Sequence, residues 1–467
     1  MIPPDFALEV PAELGPVHFI GIGGSGMTGI AHMMLDAGLT VTGSDRENNP
    51  YIDKLRARGA TVTIGHDAAN LPEDATAIVY TSALWPDNPE YLAARDRGLT
   101  LLHRSQALHW LSRGRRVVTV AGAHGKTTTT GMIVTMLREL GADPGFVNGG
   151  VIRSLGTSSA TGSGELFVLE GDESDGSFQL YDTSYAVITN IDTVHLDHYG
   201  DADGVIEAFG RFVAAAPGFV VAGEGPAVDA ALSRAPGTRA IRFGEGQDAD
   251  VRVSEIVASD HVAFDLTRGG ETHRARVNVA GRHNAINAAG AIATVVELGY
   301  PIQDAIAALE QFGGTNRRFE FKGAVRGVSV YDDYAHEPAE AAAAVAGART
   351  VVGEGRVIAI HQPHLYSRTR MFADQFARAY EENADFTVVV EIDGAREDPV
   401  PGVTGQLVVD AFSDKSKVVR IDDWQEASEY VASIAREGDI VMTLSCGTVY
   451  KMVPQLLEAL ERVPQSR

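Results

Sequence analysis

Lys126 and Thr127 stand directly behind a short glycine loop, Gly122-Ala123-His124-Gly125. Such a loop closes backbone N–H groups on phosphate, the lysine reaches the outer phosphates, and the threonine hydroxyl is placed to bind Mg²⁺. Thr128 continues the same turn. A standard phosphate loop would need glycine at position 120, where this chain has Val120, so the loop is a shortened Gly-x-x-Gly-Lys-Thr. Glu170 ends an apolar run from Leu166, as a carboxylate held beside Mg²⁺ does. Asp172, Glu173 and Asp175 follow at once; of this group only Glu170 reads as a strong ligand, and several of the others read as a solvated acidic turn. His195 and His198 follow the run Tyr185–Ile191, where a ligand role and a structural role weigh about equally. A second glycine cluster, Gly21-Ile22-Gly23-Gly24-Ser25-Gly26, has Asp45 about 20 residues on, the dinucleotide fingerprint. It predicts a diphosphate on a helix N-terminus and Asp45 near a ribose hydroxyl. A nicotinamide or flavin cofactor and a UDP-linked substrate satisfy it equally. The lone Cys446 reads as a small buried residue.

These groups need strands and helices to hold them. Val117–Val120 reads as a buried strand before the Lys126 loop, and Met132, Ile133, Met136, Leu137 and Leu140 give an amphipathic helix after it. Val17–Ile20 and the face Met27, Ile30, Ala31, Met34 and Leu35 frame the first glycine cluster. The strand Thr40–Gly43 leads to Ser44-Asp45. Ala77–Tyr80 presents Thr81-Ser82-Ala83 at a strand C-terminus, where α/β sheets bind ligands. Residues 250–280 alternate in short runs and predict an antiparallel β insertion or satellite sheet. Asn284 and Asn287 share one face of an Ala-rich helix, so both amides could meet one ligand. Gly313–Arg318 is a hinge candidate. Beyond it come strands at Val328–Tyr331, Val357–Ile360, Phe386–Val390, Val418–Ile421 and Ile440–Leu444, with polar loops carrying Asp333, Tyr334, His336, His364 and Arg368.

At 467 residues the chain is too long for one core and suggests about three domains. A formal net charge of −23 argues against a nucleic-acid partner. No apolar run approaches the roughly 20 residues that span a bilayer, and the first ten residues lack the pattern of a secretory signal. We therefore expect a cytoplasmic protein with neither a membrane nor a nucleic acid as partner.

Taken in order, the motifs resemble those of the Mur ligase family of peptidoglycan synthesis over nearly the whole chain. They are GIGGSGMTGIA (Gly21–Ala31), HGKTTTT (His124–Thr130), EGDESD (Glu170–Asp175), TNIDTVHLDHY (Thr189–Tyr199), GRHNAINA (Gly281–Ala288), RRFE (Arg317–Glu320), DDYAHEPAE (Asp332–Glu340) and QPHLYSRT (Gln362–Thr369). The resemblance implies an α/β protein of three domains. Residues 1–113 would be Rossmann-like and bind UDP-N-acetylmuramate through Gly23, Gly24, Ser25, Gly26, Met27, Ser44, Asp45, His66, Ser82 and Arg368 of the last domain. Residues 114–316 would bind ATP and two Mg²⁺ ions: Gly122–Thr128, His283, Asn284 and Asn287 on the nucleotide, Thr127, Glu170 and His195 on metal. Residues 317–467, again Rossmann-like, would add Arg318 and Asp333 to the nucleotide, with Tyr334, His336, His364 and Arg368 around the amino acid. Lys126, His195 and Arg318 would be the catalytic groups. The implied reaction is ATP-dependent ligation of L-alanine to the lactyl carboxylate through an acyl phosphate, by a monomer or weak homodimer. No lysine occurs in Glu207–Arg211, where relatives acting later in the pathway carry a modified one, which fits the alanine-adding branch. Two positions depart from the pattern: Ala123 where threonine is usual, and Leu365 where arginine is usual. The alternatives are a recycling ligase that attaches a ready-made peptide, a non-catalytic ATP-binding switch protein and, from the glycine fingerprint alone, a nicotinamide oxidoreductase.

Overall fold

The computed structural model of the chain describes residues 2–192, 196–395 and 397–462. It contains three sheets. The first is parallel, with strands β1 (Val17–Ile20), β2 (Val41–Asp45), β3 (Thr61–Ile64), β4 (Ala77–Tyr80) and β5 (Thr100–His103) in the order 3-2-1-4-5. The order reverses between β1 and β4, and the crevice at their C-terminal ends is where such sheets bind ligands. Helices α1 (Ser25–Asp36), α2 (Pro50–Ala57), α3 (Pro89–Asp96) and α4 (Arg104–Ser112) are interleaved with these strands.

The second sheet has ten strands: β6 (Arg116–Ala121), β7 (Gly145–Ile152), β8 (Thr157–Ala160), β9 (Leu166–Glu170), β10 (Thr183–Ile188), β11 (Val220–Ala222), β12 (Ala240–Gly244), β13 (Val251–Ala258), β14 (Val262–Arg268) and β15 (Glu271–Val277). Its order is 15-14-13-12-11-10-6-9-7-8, with β6 between β10 and β9 in parallel register. The predicted satellite strands continue this sheet, because β13 pairs in parallel with β12 through Phe243–Val251 and Gly244–Arg252.

Helix α5 (Lys126–Glu139) follows β6, but it is not amphipathic as the apolar spacing predicts. Thr129, Thr130 and Thr135 are buried along with Met132, Ile133, Met136 and Leu137. The reason is tertiary: α5 lies between the sheet and the helix Ile302–Leu309, so its small polar face is covered as well.

The third sheet holds β16 (Glu320–Val325), β17 (Val328–Asp333), β18 (Val357–His361), β19 (Phe386–Val389), β20 (Val418–Arg420) and β21 (Ile440–Leu444) in the order 16-17-21-18-19-20. Only β16 runs antiparallel to its neighbour. Apolar clusters cover both its faces, one around Val357, Phe376 and Tyr380 and one around Ile358, Val431 and Leu456.

By packing, the chain forms two compact units. One comprises residues 1–254, 266–273 and 286–312, and the other 255–265, 274–285 and 313–467. In the first unit one apolar cluster runs from Phe19, Ile22 and Met27 to Phe167, Leu169 and Tyr181, so the first two sheets share a core. Among the described residues no helix is long and apolar enough to cross a membrane.

Candidate functional site

The Lys126 loop is gripped by the two residues that follow β10. Gly122 has φ +140°, and a β-carbon there would lie 2.1 Å from Thr189 Oγ1 and 2.7 Å from Asn190 O. Only glycine allows so close an approach in that conformation. His124 N donates to Asn190 Oδ1 (3.0 Å) and Ala123 N to Asn190 O (3.2 Å), while Thr189 Oγ1 donates to His124 O (2.6 Å). Gly125, at φ +82°, caps α5, and a β-carbon on it would meet Asn287 Oδ1 at 2.5 Å. The Asn287 carboxamide therefore sits against the loop, whereas Asn284 Nδ2 donates to Ala280 O at 2.6 Å.

Lys126 Nζ donates to Gly122 O (2.6 Å) and Glu173 Oε1 (2.8 Å). Thr127 Oγ1 donates to Glu170 Oε1 (2.9 Å), and Gly149 N to Glu170 Oε2 (2.7 Å). Glu173 is 3% exposed, which corrects its reading as part of a solvated turn. Burial pushes its carboxyl up to about 7 against the pull of Lys126. Burial also disfavours the Lys126 cation, but Glu173 and Glu170 outweigh that and hold its pKa above the ordinary value. Asp172 and Asp175 are engaged too: Arg104 Nη2 donates to Asp172 Oδ2 (2.6 Å) and Ser82 Oγ to Asp175 Oδ2 (2.9 Å). The acidic segment thus ties the first sheet to the Lys126 loop. Sequence could not show this, because its partners lie about 45 to 90 residues away.

Thr127 and Glu170 offer a hydroxyl and a carboxylate at a helix N-terminus, a donor pair that suits Mg²⁺. Among the described residues no group of three or more His, Cys, Asp or Glu is gathered as a metal site. His195, expected as a ligand, lies outside the described residues.

In the first sheet Gly21 has φ +78°, and Gly21 N and Ile22 N both donate to Ser44 O (2.8 and 3.0 Å). Two of the expected anion-binding amides are already used. Gly23 N donates to Asp45 Oδ2 (2.8 Å) and Gly24 N to Gly21 O (3.2 Å). Asp45 thereby clamps the loop, and the groups left to meet an anion are those of the first turn of α1, at Ser25, Gly26 and Met27, which by geometry lack intrahelical acceptors.

Ser44 and His66 meet at a carboxylate that spacing gave no sign of, Glu90 on α3. Its side chain is fully buried and accepts from Ser44 Oγ (2.5 Å), Asn70 Nδ2 (2.7 Å) and Asp67 N (3.1 Å), with His18 Nε2 at 3.3 Å. Burial alone would raise its pKa, but these hydrogen bonds and His66 outweigh burial and hold it well below the carboxylate range. Ser82 Oγ pairs with His103 Nε2 (2.8 Å), and burial pushes His103 down to about 4.

In the second unit Asp333 accepts from Phe319 N (2.7 Å) and Ala335 N (2.8 Å), so its carboxylate braces the Arg318 turn; burial raises it to about 6. Arg318 lies over the Tyr334 ring at 5.2 Å. Arg317, at φ +60°, stands over Tyr334 (4.9 Å) and Tyr450 (4.5 Å) and donates to Asp332 (3.2 Å) and Ser445 O (2.5 Å). His336 Nδ1 pairs with Glu340 (3.1 Å), which the sequence reading missed. Arg368 Nη2 pairs with Glu337 (3.0 Å), while its Nη1 is buried with no partner among the described residues. The backbone of His364 forms an isolated parallel β-bridge with that of Asp393, and His283, exposed, begins the helix His283–Glu297. Leu365, where arginine is usual in the family, is 6% exposed at φ +70°.

Three family models match in sequence order: "Mur ligase family, catalytic domain" at residues 16–116, "Mur ligase middle domain" at 120–295, and "Mur ligase, glutamate ligase domain" at 317–447. A UDP-N-acetylmuramate–L-alanine ligase of Clavibacter michiganensis is 59% identical, covering 99% of this chain and 97% of its own. Another, of Paenarthrobacter aurescens, is 46% identical over 96% and 98%. Among solved structures, a UDP-N-acetylmuramate–alanine ligase of Thermotoga maritima superposes with TM-score 0.81 at 27% identity, covering 96% of this chain and 99% of its own. A murein peptide ligase of Psychrobacter arcticus gives 0.72 at 25%, over 96% and 99%.

Proposed function

Starting from the fact that this chain belongs to the Mur ligase family, we propose that it joins L-alanine to the lactyl carboxylate of UDP-N-acetylmuramate at the expense of ATP. The observation that carries this reading is the segment Glu170–Asp175. Glu170 and Glu173 hold Thr127 and Lys126 of one phosphate loop, while Asp172 and Asp175 hold the first sheet beside the other. Two loops of the kind that binds phosphate, one after β1 of the first sheet and one after β6 of the second, suit a nucleotide sugar and a nucleoside triphosphate in one reaction. An oxidoreductase has no use for the second.

A carboxylate is a poor acyl donor. Its oxygen attacks the γ-phosphate, giving an acyl phosphate and ADP; the neutral amine of L-alanine then attacks the carbonyl, and phosphate leaves. Gly122–Thr128 cradle the ATP phosphates. Lys126 Nζ leaves its loop carbonyls for the outer phosphates and offsets charge on the migrating phosphoryl group. Thr127, Glu170 and His195 would hold magnesium, which when bound neutralises phosphate charge; we assign two ions. By the family's pattern His283, Asn284, Asn287, Arg318 and Asp333 belong to the nucleotide. Tyr334, His336, His364 and Arg368 belong to the amino acid and the substrate carboxylate, a role that suits the buried, unpartnered Nη1 of Arg368. We place the reaction in the cytoplasm, carried out by a monomer or weak homodimer on small-molecule substrates.

The test is phosphate release from ATP with UDP-N-acetylmuramate present, first without and then with L-alanine. Release that requires L-alanine supports the reading; release that requires a tripeptide instead identifies the recycling reaction. Lys126→Ala should lower the rate by at least about 10²–10³-fold, as expected for one electrostatic donor. Near-normal turnover in that variant would overturn the role of the loop.

A further inference from the structure

The expected sugar-nucleotide residues leave a cation out of account. Arg104 opens α4, where its backbone is fixed by a capping box: Gln106 Oε1 accepts from His103 N (2.8 Å), and His103 Nδ1 accepts from Ser105 N (3.4 Å). From there the guanidinium reaches two places at once. One edge donates from Nη2 to Asp172 Oδ2 at 2.6 Å. The other lies against the N-terminal turn of α1, where a β-carbon on Gly26 would be 3.5 Å from Nη1. That turn is the part of the first glycine cluster whose amides are still directed at an anion, since those of Gly23 and Gly24 are taken within the loop.

An arginine has five donors in a planar fork and no acceptor, and among the described residues its only hydrogen-bond partner is Asp172. Of its other donors, Nη1 lies against the first turn of α1, where the reading of this loop puts the diphosphate. Asp172 Oδ1 accepts from Ser174 N (3.0 Å) and Ser174 Oγ (2.6 Å), and its backbone neighbour Gly171 donates to Val120 O (2.8 Å). The next residue, Glu173, holds Lys126. The far end of α1 is anchored as well, by Thr161 Oγ1 donating to Asp36 Oδ2 (2.7 Å).

We propose that Arg104 is a diphosphate-binding residue, and that its ion pair with Asp172 makes the nucleotide sugar and ATP bind cooperatively. This rests on the reading of the first glycine loop as the UDP-N-acetylmuramate site. A diphosphate that takes Nη1 fixes the guanidinium, and with it Asp172, Glu173 and Glu170, in the arrangement that presents Lys126 and Thr127. The ligand that binds second finds that ordering done. Coupling is reciprocal: each ligand tightens the other by the same factor, which for such links is about 5-fold or more.

The experiment is titration calorimetry of the full chain with UDP-N-acetylmuramate and with Mg²⁺ and a non-hydrolysable ATP analogue, each alone and with the other saturating. Wild type, Arg104→Met, Arg104→Lys and Asp172→Asn are compared. We expect Arg104→Met to bind the nucleotide sugar at least about 10-fold more weakly, in line with loss of a charge-assisted contact. Its affinity for the ATP analogue alone should stay within about twofold, which also shows that the variant is folded, and its coupling factor should fall to about one. Arg104→Lys should recover part of the sugar affinity. Asp172→Asn should keep more of the sugar affinity than Arg104→Met yet lose the coupling. Wild-type protein that bound no UDP-N-acetylmuramate would overturn the reading of the site itself. Wild-type binding without coupling, unchanged sugar affinity in Arg104→Met, or full coupling in Asp172→Asn would overturn the role of Arg104 while leaving that reading intact.

Discussion

Glu90 shows how much a single buried carboxylate can organise. It gathers Ser44, His18, Asn70 and the Asp67 amide, while the carbonyl of Ser44 holds Gly21 and Ile22. Because these hydrogen bonds outweigh burial and keep its pKa below the ordinary 4.5, the folded protein binds fewer protons here than the unfolded chain does. The stability that follows is fully present above about pH 4.5 and is lost as pH falls toward the folded value. Glu90→Gln removes that contribution. Melting temperatures measured at about pH 6 and about pH 3.5 should therefore fall less in the variant than in wild type; an equal fall would show that the carboxylate is not the acid-sensitive group. Spacing gave no hint of Glu90, since its partners come from β1, β2 and the segment after β3. Only the strand order 3-2-1-4-5 brings them together.

At the scale of elements, the turn from β6 into α5 depends on β10. Gly122 leaves no room for a β-carbon against Thr189 and Asn190, so Gly122→Ala must either shift the segment that follows β10 or distort the loop. The expected result is a loss of about 1–3 kcal/mol in stability, the usual size of local backbone strain, together with weakened binding of ATP. Urea unfolding and nucleotide titration would check both, and a variant with wild-type values for each would show that the grip is not needed. The strand, loop and helix around Lys126 could be read from β-branched residues, glycines and apolar spacing. The burial of Thr129, Thr130 and Thr135 could not, because a helix covered on two sides presents no solvent face to give a periodic signal. Glu173 was misread for a related reason: an acid in an acidic run looks solvated until the cation opposite it, Lys126, is brought alongside.

The whole molecule consists of two compact units, each with its own sheet cores. Chains of this kind depart from two-state unfolding, and calorimetry should resolve at least two transitions. UDP-N-acetylmuramate should raise the one belonging to the unit with the first two sheets, by about 2.7 kcal/mol at a hundredfold excess over its dissociation constant. A single transition, or a shift confined to the other unit, would contradict this assignment. At this scale composition did little more than set a number of domains. The net charge of −23 says nothing of the local cations Lys126, Arg104 and Arg368, which pair with Glu173, Asp172 and Glu337.

By itself the sequence determined the two glycine loops, the strands that deliver them and the family to which their order belongs. Each of these is a local pattern, in which glycine, lysine and a β-branched run lie within a few residues of one another. The tertiary structure decided which side chains serve those loops. Glu90, Arg104, Glu173 and Asn190 each act on a partner tens of residues away, and Asp45 proved to be a clamp on the loop at Gly23. The physical reason is that the patterns are written along the chain, whereas a buried charge is defined by whatever packs around it.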